Sequence, residues 1–529
     1  MKKQIFTMIT MLSVYAASAQ TPGTLDTTFG DSGKVHVDLG GTSYGLSMTV
    51  QNDEKIVMCG ALINQNLPSF GVMRFDPDGQ LDNSFGTNGI AFNTYPNSIY
   101  SGRKVLIQSD GKILVIGMRF QDMQPDVMSI ARYNTDGSVD ISFGTDGTAN
   151  CIFGDNYNEV RSAALQPDGK IILAGISYNF DNGGFVARFN PDGSIDNSFS
   201  GDGILVVESD VFSEINDVII QPDGKIVAVG MSDVSGQSGN SNGSDIMLIR
   251  LNNDGSMDNS FDNDGKVVTE VPGNSLAANS VALQVDGKIV IAGNRFLSGQ
   301  AEFLSARYNM DGSIDNSFGI NGMKIFSFSN WYSTTHSIAV QPGGDILIGG
   351  TTDIANGFGK FALVCLTPSG DFNLAFDGDG IVETQFTSTS DTTSASIYSV
   401  HVLPNGKVLA GGFAKQENVF GFALARYHTG NFLGNLENEN QYQSFPVKLF
   451  PNPSRDIINV EFQLATMSEV TIQIADLTGR VFQQQMYNGM ASEGHNLQSI
   501  NLPSSLSSGI YVLTLRTKDG LSSIQFIKN

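Results

Sequence analysis

Two patterns of apolar residues occur along most of the chain, and both predict β-strands. In one pattern every second residue is apolar, as at Leu46, Met48 and Val50, which is typical of a strand with one buried face. In the other pattern four apolar residues follow one another, as in residues 113–116 and 171–174. A strand of this second kind is buried on both faces, so it needs a sheet on either side.

Three short motifs recur in a fixed order and define a repeat. The first is a hydrophobic residue, Asp, two variable residues, Phe, three variable residues and Gly. Its Phe occurs at spacings of 56 to 62 residues, as Phe29, Phe85, Phe143, Phe199, Phe261, Phe318 and Phe376. The second motif is Gln-Pro-Asp-Gly-Lys-Ile, as at residues 166–171, and the third is Ala-Arg-Tyr-Asn-x-Asp-Gly, as at residues 131–137. A period of this length indicates one supersecondary unit per repeat.

Each repeat predicts four strands, a to d in chain order, with a tight Pro-Asp-Gly turn between b and c. Four-stranded antiparallel units with a doubly buried strand are typical of propeller blades, and seven of them close a ring. We therefore predict an all-β protein in which residues 20–432 form a seven-bladed β-propeller. An open solenoid is the alternative, although it requires polar capping units that neither end provides.

The repeat also resembles a known family. The motifs at residues 81–89, 166–171 and 132–138 are similar to those of the delta-60 repeat family, which occurs in exported bacterial proteins. The resemblance covers roughly residues 25–432. It implies the class of fold and an exported protein, and it implies no particular chemistry.

Paired charges predict how the ring is held together. In five repeats an Arg of strand d precedes the Asp of the next Phe motif by eight residues. The pairs are Arg74 and Asp82, Arg132 and Asp140, Arg188 and Asp196, Arg250 and Asp258, and Arg307 and Asp315. The sixth repeat lacks both charges, with Cys365 and Asn373, as expected if each pair is a buried ion pair. Asp26 and Arg426 each lack a partner in their own part of the chain, and we predict that they meet and close the ring.

A different all-β pattern follows the repeats. Residues 433–444 are polar and aperiodic, which predicts a linker, and residues 445–529 predict six or seven short strands in a small immunoglobulin-like β-sandwich. Residues 449–453, 476–480 and 508–512 resemble the motifs of the type IX secretion C-terminal sorting domain. That resemblance implies passage through the outer membrane and contact with the type IX secretion machinery. An ordinary sandwich with a binding role is the alternative.

The N-terminus and the composition restrict the location and the partners. Residues 1–19 combine a basic start, an apolar run and a small-residue cleavage site, which predicts a signal peptide. The product is therefore predicted to be secreted or attached to the outer-membrane surface, and not an integral membrane protein. A net charge of −23 argues against nucleic acid as a partner. Cys59, Cys151 and Cys365 lie in three different repeats and are predicted to be buried free thiols.

Few residues suggest chemistry. The five histidines (His36, His336, His401, His428 and His495) fit no metal or catalytic motif, although His336 and His401 lie near strand b of adjacent repeats. Loops that contain residues such as Asp76, Asp78 and Asp82 resemble half of a calcium-binding loop. The same residue types also favour ordinary turns, and these loops lack the bidentate Glu of a calcium site. We therefore predict no catalytic, cofactor-binding or metal-binding residue and no cofactor.

Two functions follow from these observations. The first is a non-catalytic propeller that binds an extracellular glycan or protein, with no enzymatic activity. The alternative is an extracellular polysaccharide-degrading enzyme, either a lyase or a hydrolase. An enzyme requires carboxylates or a His from different blades at one mouth of the channel. Comparison of the repeats reveals no gain of clustered acids, which favours the binding protein.

Overall fold

The chain was examined as a computed structural model. It describes residues 21–63, 70–93, 98–121, 127–151, 158–177, 183–207, 212–233, 243–297, 300–328, 333–352, 359–386, 394–416, 419–429, 447–451, 454–464, 467–476, 481–502, 506, 509–517 and 521–528. The predicted signal peptide, the linker and most of the Gly/Ser-rich insertion at residues 235–243 lie outside the described residues, so those predictions stand as they were made.

The described part of the repeat region consists of strands. Their bounds in chain order are β1 Lys34–Val37, β2 Thr42–Val50, β3 Ile56–Ile63, β4 Phe70–Phe75, β5 Ile90–Asn93, β6 Ser98–Ile107, β7 Ile113–Gln121, β8 Val127–Tyr133, β9 Thr148–Cys151, β10 Asn158–Leu165, β11 Ile171–Ser177, β12 Gly183–Phe189, β13 Ile204–Val207, β14 Phe212–Ile220, β15 Ile226–Asp233, β16 Asp245–Leu251, β17 Lys266–Thr269, β18 Ser275–Leu283, β19 Ile289–Leu297, β20 Gln300–Tyr308, β21 Met323–Phe326, β22 Thr334–Val340, β23 Ile346–Thr352, β24 Lys360–Leu366, β25 Ile381–Thr384, β26 Ala395–Val402, β27 Val408–Gln416 and β28 Val419–Tyr427. Among the described residues, no helix has the length and apolar character required to cross a membrane.

The described strands form seven antiparallel units of four, and the sequence repeat is out of phase with them. The third unit, for example, has the order β10-β11-β12-β13, and its last strand belongs to the next sequence repeat. The prediction that strand a begins a blade is therefore wrong, because strand a is the outer strand of the preceding blade. In the seventh unit this outer strand is β1, which pairs with β28, so the two ends of the repeat region share one sheet.

The core lies between adjacent sheets. The first strands of neighbouring sheets contact one another in succession, from β2 and β6 through to β26 and β2, which makes the arrangement a closed ring. Every residue of β11 and β12 is buried, as predicted for strands covered on both faces. One hydrophobic cluster contains Ile116 and Met128 of the second sheet together with Leu173 and Phe185 of the third. The apolar runs therefore pack sheet against sheet, as in a propeller.

In every sheet except the sixth, one arginine binds the sheet to the next. Its Nε donates to the Asp predicted to be its partner, at 2.6 to 2.8 Å, and its guanidinium lies 4.5 to 4.9 Å from the ring centroid of the Phe in the same motif. A second guanidinium nitrogen donates to a backbone carbonyl of the following sheet, for example Arg132 to Pro191 at 2.8 Å. The Lys of the Gln-Pro-Asp-Gly-Lys-Ile motif binds the same Asp, as Lys170 binds Asp196 at 2.8 Å.

The ring closes through the same interaction. Arg426 Nε donates to Asp26 Oδ2 at 2.6 Å, and Arg426 also donates to the carbonyl of Pro77 in the first sheet. Lys407 lies 3.2 Å from the same carboxylate, which is almost completely buried. The predicted closing pair is thus present, 400 residues apart in the chain.

The C-terminal part forms a separate two-sheet sandwich. Its strands are β29 Val447–Phe450, β30 Ile457–Leu464, β31 Ser468–Asp476, β32 Val481–Ala491, β33 Gly494–Asn501, β34 Gly509–Arg516 and β35 Leu521–Lys528. One sheet has the order β29-β30-β33 and the other β32-β31-β34-β35, and both contribute to one buried cluster. The sequence of strand β33 is mostly polar, so its pattern gives little indication of a strand. The immunoglobulin-like topology stays a prediction.

Two of the three cysteines are described as buried free thiols, Cys59 and Cys365. Burial raises the pKa of both groups, and they lie in different sheets. The side chain of Cys151 is outside the described part of the chain.

Loss of one partner of the closing pair should destabilise the protein strongly. Arg426→Gln leaves the Asp26 carboxylate buried without its main partner, so we expect the free energy of unfolding to fall by about 3–5 kcal/mol. The double variant Asp26→Asn/Arg426→Gln should recover part of this loss in a double-mutant cycle measured by denaturant unfolding. Additive effects of the two substitutions would contradict the pairing. Neutral substitutions are preferable to a charge swap, because Lys407 would repel an arginine at position 26.

The repeated pairs should also make the fold acid-sensitive. Burial opposes ionisation of Asp26, Asp82, Asp140, Asp196, Asp258 and Asp315, but hydroxyl and backbone donors and the adjacent cations outweigh it and lower the pKa of each carboxyl. Each folded-state pKa lies below the unfolded value, so the stabilisation is complete above about pH 5 and is lost as the pH falls below about 4. We expect a steep loss of unfolding free energy in acid. The double variant Asp258→Asn/Arg250→Gln should lose it less steeply, and an unchanged slope would contradict this explanation.

Candidate functional site at the channel mouth

Each of the seven innermost strands contains one extra residue. The pairing register of that strand with its neighbour shifts by one position at the same place in every sheet, which defines a β-bulge. The residues that occupy the bulges are Leu46, Arg103, Arg161, Asn216, Asn279, His336 and Tyr398. Because these strands surround the axis of the ring and the bulges occupy equivalent positions, the seven bulge residues surround one section of the central channel, called the mouth below. We call this set the bulge ring.

A glycine in the adjacent strand permits the bulge. A Cβ at Gly175 would collide with the carbonyl oxygen of Glu159, and one at Gly230 would collide with that of Glu214. The bulged backbone therefore approaches its neighbour more closely than any other residue type allows.

The bulge residues bind one another around the channel. Arg103 lies 3.0 Å from Glu159 of the next sheet, and Arg161 lies 2.9 Å from Glu214 of the sheet after that. Arg161 also donates to the Asn216 side chain at 2.6 Å. Acidic and basic groups thus alternate along one side of the mouth. The Nε atoms of Arg103 and Arg161 are buried and have no hydrogen-bond partner among the described residues.

The opposite side of the mouth is aromatic. The ring of His336 stacks on that of Tyr398, with centroids 4.1 Å apart and planes inclined by 9°. Phe413 lies 5.8 Å from Tyr398 and 4.8 Å from Tyr44, and Phe420 lies 5.3 Å from Tyr44. Such an arc offers flat apolar faces beside polar edges.

Burial sets the protonation of this stacked pair. It lowers the pKa of His336 to about 4, so the imidazole is neutral at pH 7 and can accept a proton. Burial also raises the pKa of Tyr398, so the phenol keeps its proton and can donate it. The Arg103 guanidinium opposes that rise, which places its charge within electrostatic range of the Tyr398 hydroxyl. The charged and aromatic sides therefore act on the same space.

The residues that directly follow the bulge residues also bind the sheets to one another. Asp217 of the fourth sheet accepts hydrogen bonds from Ser162 and Ser280 of the third and fifth sheets, at 2.6 and 2.8 Å. Lys104 of the second sheet lies 3.8 Å from the same carboxylate. One carboxylate thus joins four sheets, and its charge is balanced across the channel.

The histidines predicted as candidates fall in different places. His336 is in the bulge ring, where the ring that it contacts is Tyr398 rather than His401, which lies three residues farther along the strand. His36 binds the carbonyl of Ala414, His428 lies 3.7 Å from Asp26, and His495 lies 3.1 Å from Glu461 of the sandwich.

The acidic loops act as turns. Asp136 accepts hydrogen bonds from the backbone and the hydroxyl of Ser138, at 2.9 and 2.7 Å, and the same pattern recurs at Asp192, Asp254 and Asp311. Within the described ranges no three His, Cys, Asp or Glu side chains come together as a metal-binding group.

The bulge ring was not predicted from the sequence, and the prediction that the repeats gain no clustered acids is wrong. Glu159 and Glu214 lie beside Arg161 and come from different sheets. A signal was present, because each bulge residue precedes the first residue of the Gln-Pro-Asp-Gly-Lys motif by five positions. At that position the seven repeats contain five residue types, with Arg and Asn occurring twice each.

Family comparisons agree with both halves of the chain. Residues 51–85, 108–143, 166–199, 221–261, 284–318 and 341–376 match the model described as a domain of unknown function (DUF5122) β-propeller. Residues 448–529 match the model described as a secretion system C-terminal sorting domain. The chain therefore carries DUF5122 propeller repeats and a secretion sorting domain. The sorting domain indicates export, with attachment at the cell surface or release, and supports contact with the secretion machinery.

Solved structures give a more distant likeness to the DUF5122 propeller. A PL25 polysaccharide lyase described as an ulvan lyase bound to -[GlcA(1-4)Rha3S]- is 13% identical with a TM-score of 0.44, over 75% of this chain and 96% of that one. The polysaccharide lyase Uly1 is 10% identical with a TM-score of 0.42, over 77% and 92%. A protein of unknown function from Dyadobacter fermentans is 10% identical with a TM-score of 0.37, over 75% and 98%. A sequence comparison with curated proteins finds no match.

One prediction is corrected here. The expectation that the protein is not an enzyme is contradicted, because propellers of similar structure include polysaccharide lyases. The low identities and TM-scores assign no activity to the DUF5122 propeller, so its chemistry rests on its own residues.

His336 should remain neutral far below the usual pH. We expect its imidazole to titrate near pH 4 by NMR, well below an ordinary histidine. Because the pKa of His336 is lower in the folded state than in the unfolded state, the unfolded chain takes up the proton first. The folded state therefore loses stability as the pH falls from about 6.5 toward 4. Tyr398→Ala removes the stacked ring and exposes His336, so its midpoint should rise. A midpoint above pH 6 in the native protein would contradict the burial argument, and His336→Gln identifies the resonance.

Proposed function

We propose that the protein is an extracellular polysaccharide-degrading enzyme whose active site is the bulge ring. The observation that carries this proposal is the convergence of chemically different side chains, from seven equivalent positions, on one mouth of the channel. A purely structural position in such a repeat would keep one residue type, as the arginines of the ion pairs do. Export places the enzyme where polysaccharides are found.

The two sides of the mouth suit an acidic sugar chain. The arc of Tyr44, Phe413, Phe420 and Tyr398 offers faces against which sugar rings pack. Arg103 and Arg161 offer charged donors, and the unpartnered Nε atoms need an acceptor. A carboxylate or sulfate on the sugar supplies that acceptor.

The protonation states favour elimination over hydrolysis. Hydrolysis requires a free carboxylic acid as proton donor, whereas Glu159 and Glu214 are each engaged in an ion pair with an arginine, at 3.0 and 2.9 Å. Elimination requires a base for the ring proton beside the sugar carboxylate and an acid for the leaving oxygen. At pH 7 His336 is unprotonated and Tyr398 is protonated, which are the forms that these two roles require, while burial makes His336 a weaker base and Tyr398 a weaker acid than they are in water.

In the proposed reaction, His336 and Tyr398 carry out every proton transfer. Arg103 holds the uronate carboxylate, and His336 takes the proton from the adjacent ring carbon. A carbon–carbon double bond forms as the bond from the ring to the glycosidic oxygen breaks, and Tyr398 protonates that oxygen. Because the two rings are in contact, the imidazolium then returns a proton to the phenolate.

The test is an assay of the full exported chain against uronate-containing and neutral polysaccharides. We expect products whose ultraviolet absorbance shows the new double bond, from uronate polymers alone. His336→Gln and Tyr398→Phe should each lower kcat by about 10²–10⁴-fold, and Arg103→Gln should lower kcat/KM.

His401→Gln is the matched control, because His401 is a half-buried imidazole on the same strand as Tyr398 but outside the bulge ring; this variant should keep full activity. New reducing ends without a double bond would indicate hydrolysis and overturn the elimination step. No product from any polymer, or variants as active as the native chain, would overturn the proposal.

A further inference from the structure

The junction between the sixth and seventh sheets lacks the charges that fasten the others. Cys365 stands where the other repeats have Arg, Asn373 where they have Asp, and Asp345 where they have Lys. Asn373 donates to Asp345 at 2.8 Å, which replaces the ion pair with a neutral donor and a carboxylate. The other junctions have two cations, Arg and Lys, and one anion, Asp, whereas the carboxyl group of Asp345 alone replaces these three charges here.

The rest of the guanidinium site is retained. Phe376 is buried like the Phe residues that lie under the other arginines. Thr429 stands at the chain position whose carbonyl accepts from the arginine of the preceding sheet, as Pro77 accepts from Arg426. Both residues line a cavity of about 50 Å³, together with Gln341, Asp345 and Asn373. A single water needs only about 10–15 Å³, so the space exceeds one water several-fold.

One buried polar group points to a ligand. Gln341 is 6% exposed, and its Nε2 has no hydrogen-bond partner among the described residues. The equivalent Gln166 and Gln284 lie beside the guanidinium and accept from it, at 3.5 and 3.3 Å. Rotation of the amide by 180° exchanges its oxygen and nitrogen, so Gln341 can present either atom to the cavity.

The carboxyl group is also uncompensated. Asp345 is half-buried, and burial raises its pKa, whereas the aspartates of the other junctions are held ionised by cations. A cation in the cavity would reverse that effect.

We propose that this cavity binds a guanidinium group, either a free guanidinium ion or the side chain of an arginine from another molecule. The planar cation lies over Phe376, donates to Asp345, and reaches Gln341 and the backbone at Thr429. Binding completes at the sixth junction the interaction that the other six obtain from their own arginine.

The test uses thermal unfolding of the full exported chain in millimolar guanidinium chloride, with sodium chloride and ammonium chloride at equal ionic strength. We expect a saturable rise in Tm of roughly 3–6 °C at a hundred times Kd with guanidinium, and none with the other salts. Free arginine and an arginine-containing peptide distinguish the two sources of the group. Equal effects of all three salts would overturn the proposal.

Two variants make the result specific. Asp345→Asn should abolish the response, whereas Asp371→Asn, an exposed carboxyl of the same repeat, should keep it. The triple variant Cys365→Arg/Asn373→Asp/Asp345→Lys restores the internal arginine, so it should have a higher Tm and no response to guanidinium. A triple variant that still responds would show that guanidinium binds elsewhere.

Discussion

The propeller depends on one buried arginine at each of six of its seven junctions. A single guanidinium pairs with an Asp of its own sheet, lies on a Phe and donates to the backbone of the next sheet, for example Arg250 with Asp258, Phe261 and Met310. A buried charge is costly unless its donors are satisfied, and here the planar fork satisfies several at once. The Asp and the Phe belong to one short motif. The residues of this interaction therefore come from two places in each repeat, with the Arg in strand d and the Asp and Phe in the turn that follows it.

This arrangement places the stabilising ion pair and the candidate-site residue at different positions in each sheet. The ion pair lies at the end where strands b and c turn, with the Lys of that turn bound to the same Asp. The bulge lies five residues earlier on strand b, toward the other end of the channel. A change of side chain at the bulge therefore leaves the ion pairs intact. The fold can keep one residue type at the ion pairs and seven different environments at the mouth.

Much of the fold could be predicted from the sequence, because comparison of the repeats indicates which residues form pairs. The joint loss at Cys365 and Asn373 revealed a pair, and the two unpaired ends, Asp26 and Arg426, then indicated the closure. The phase of the blades was not visible, because strand a pairs equally well with either neighbour until the register is known. The polar strand β33 had no apolar alternation to reveal it.

The candidate site was not predictable in the same way. A bulge changes the direction of a side chain without a change of residue type, so His336 and Arg103 read as ordinary strand residues until the register shift is seen. The charged pairs at the mouth also join different repeats, and no spacing within one repeat indicates that Arg161 meets Glu214. The repeat predicts the contacts of residues that recur in every blade, whereas the candidate site consists of residues that differ between blades.

The sixth junction connects the two proposals. His336 and Tyr398 belong to the innermost strands of the sixth and seventh sheets, and their stacked rings meet across the junction that lacks its own arginine. Gln341 of the cavity follows the His336 strand directly. The proposed guanidinium site and the proposed acid and base therefore lie at two levels of one junction. If substrate binds the guanidinium-bound and the free protein with different affinities, guanidinium must bind the substrate-bound and the free protein with affinities that differ by the same factor, because coupling between two sites is reciprocal.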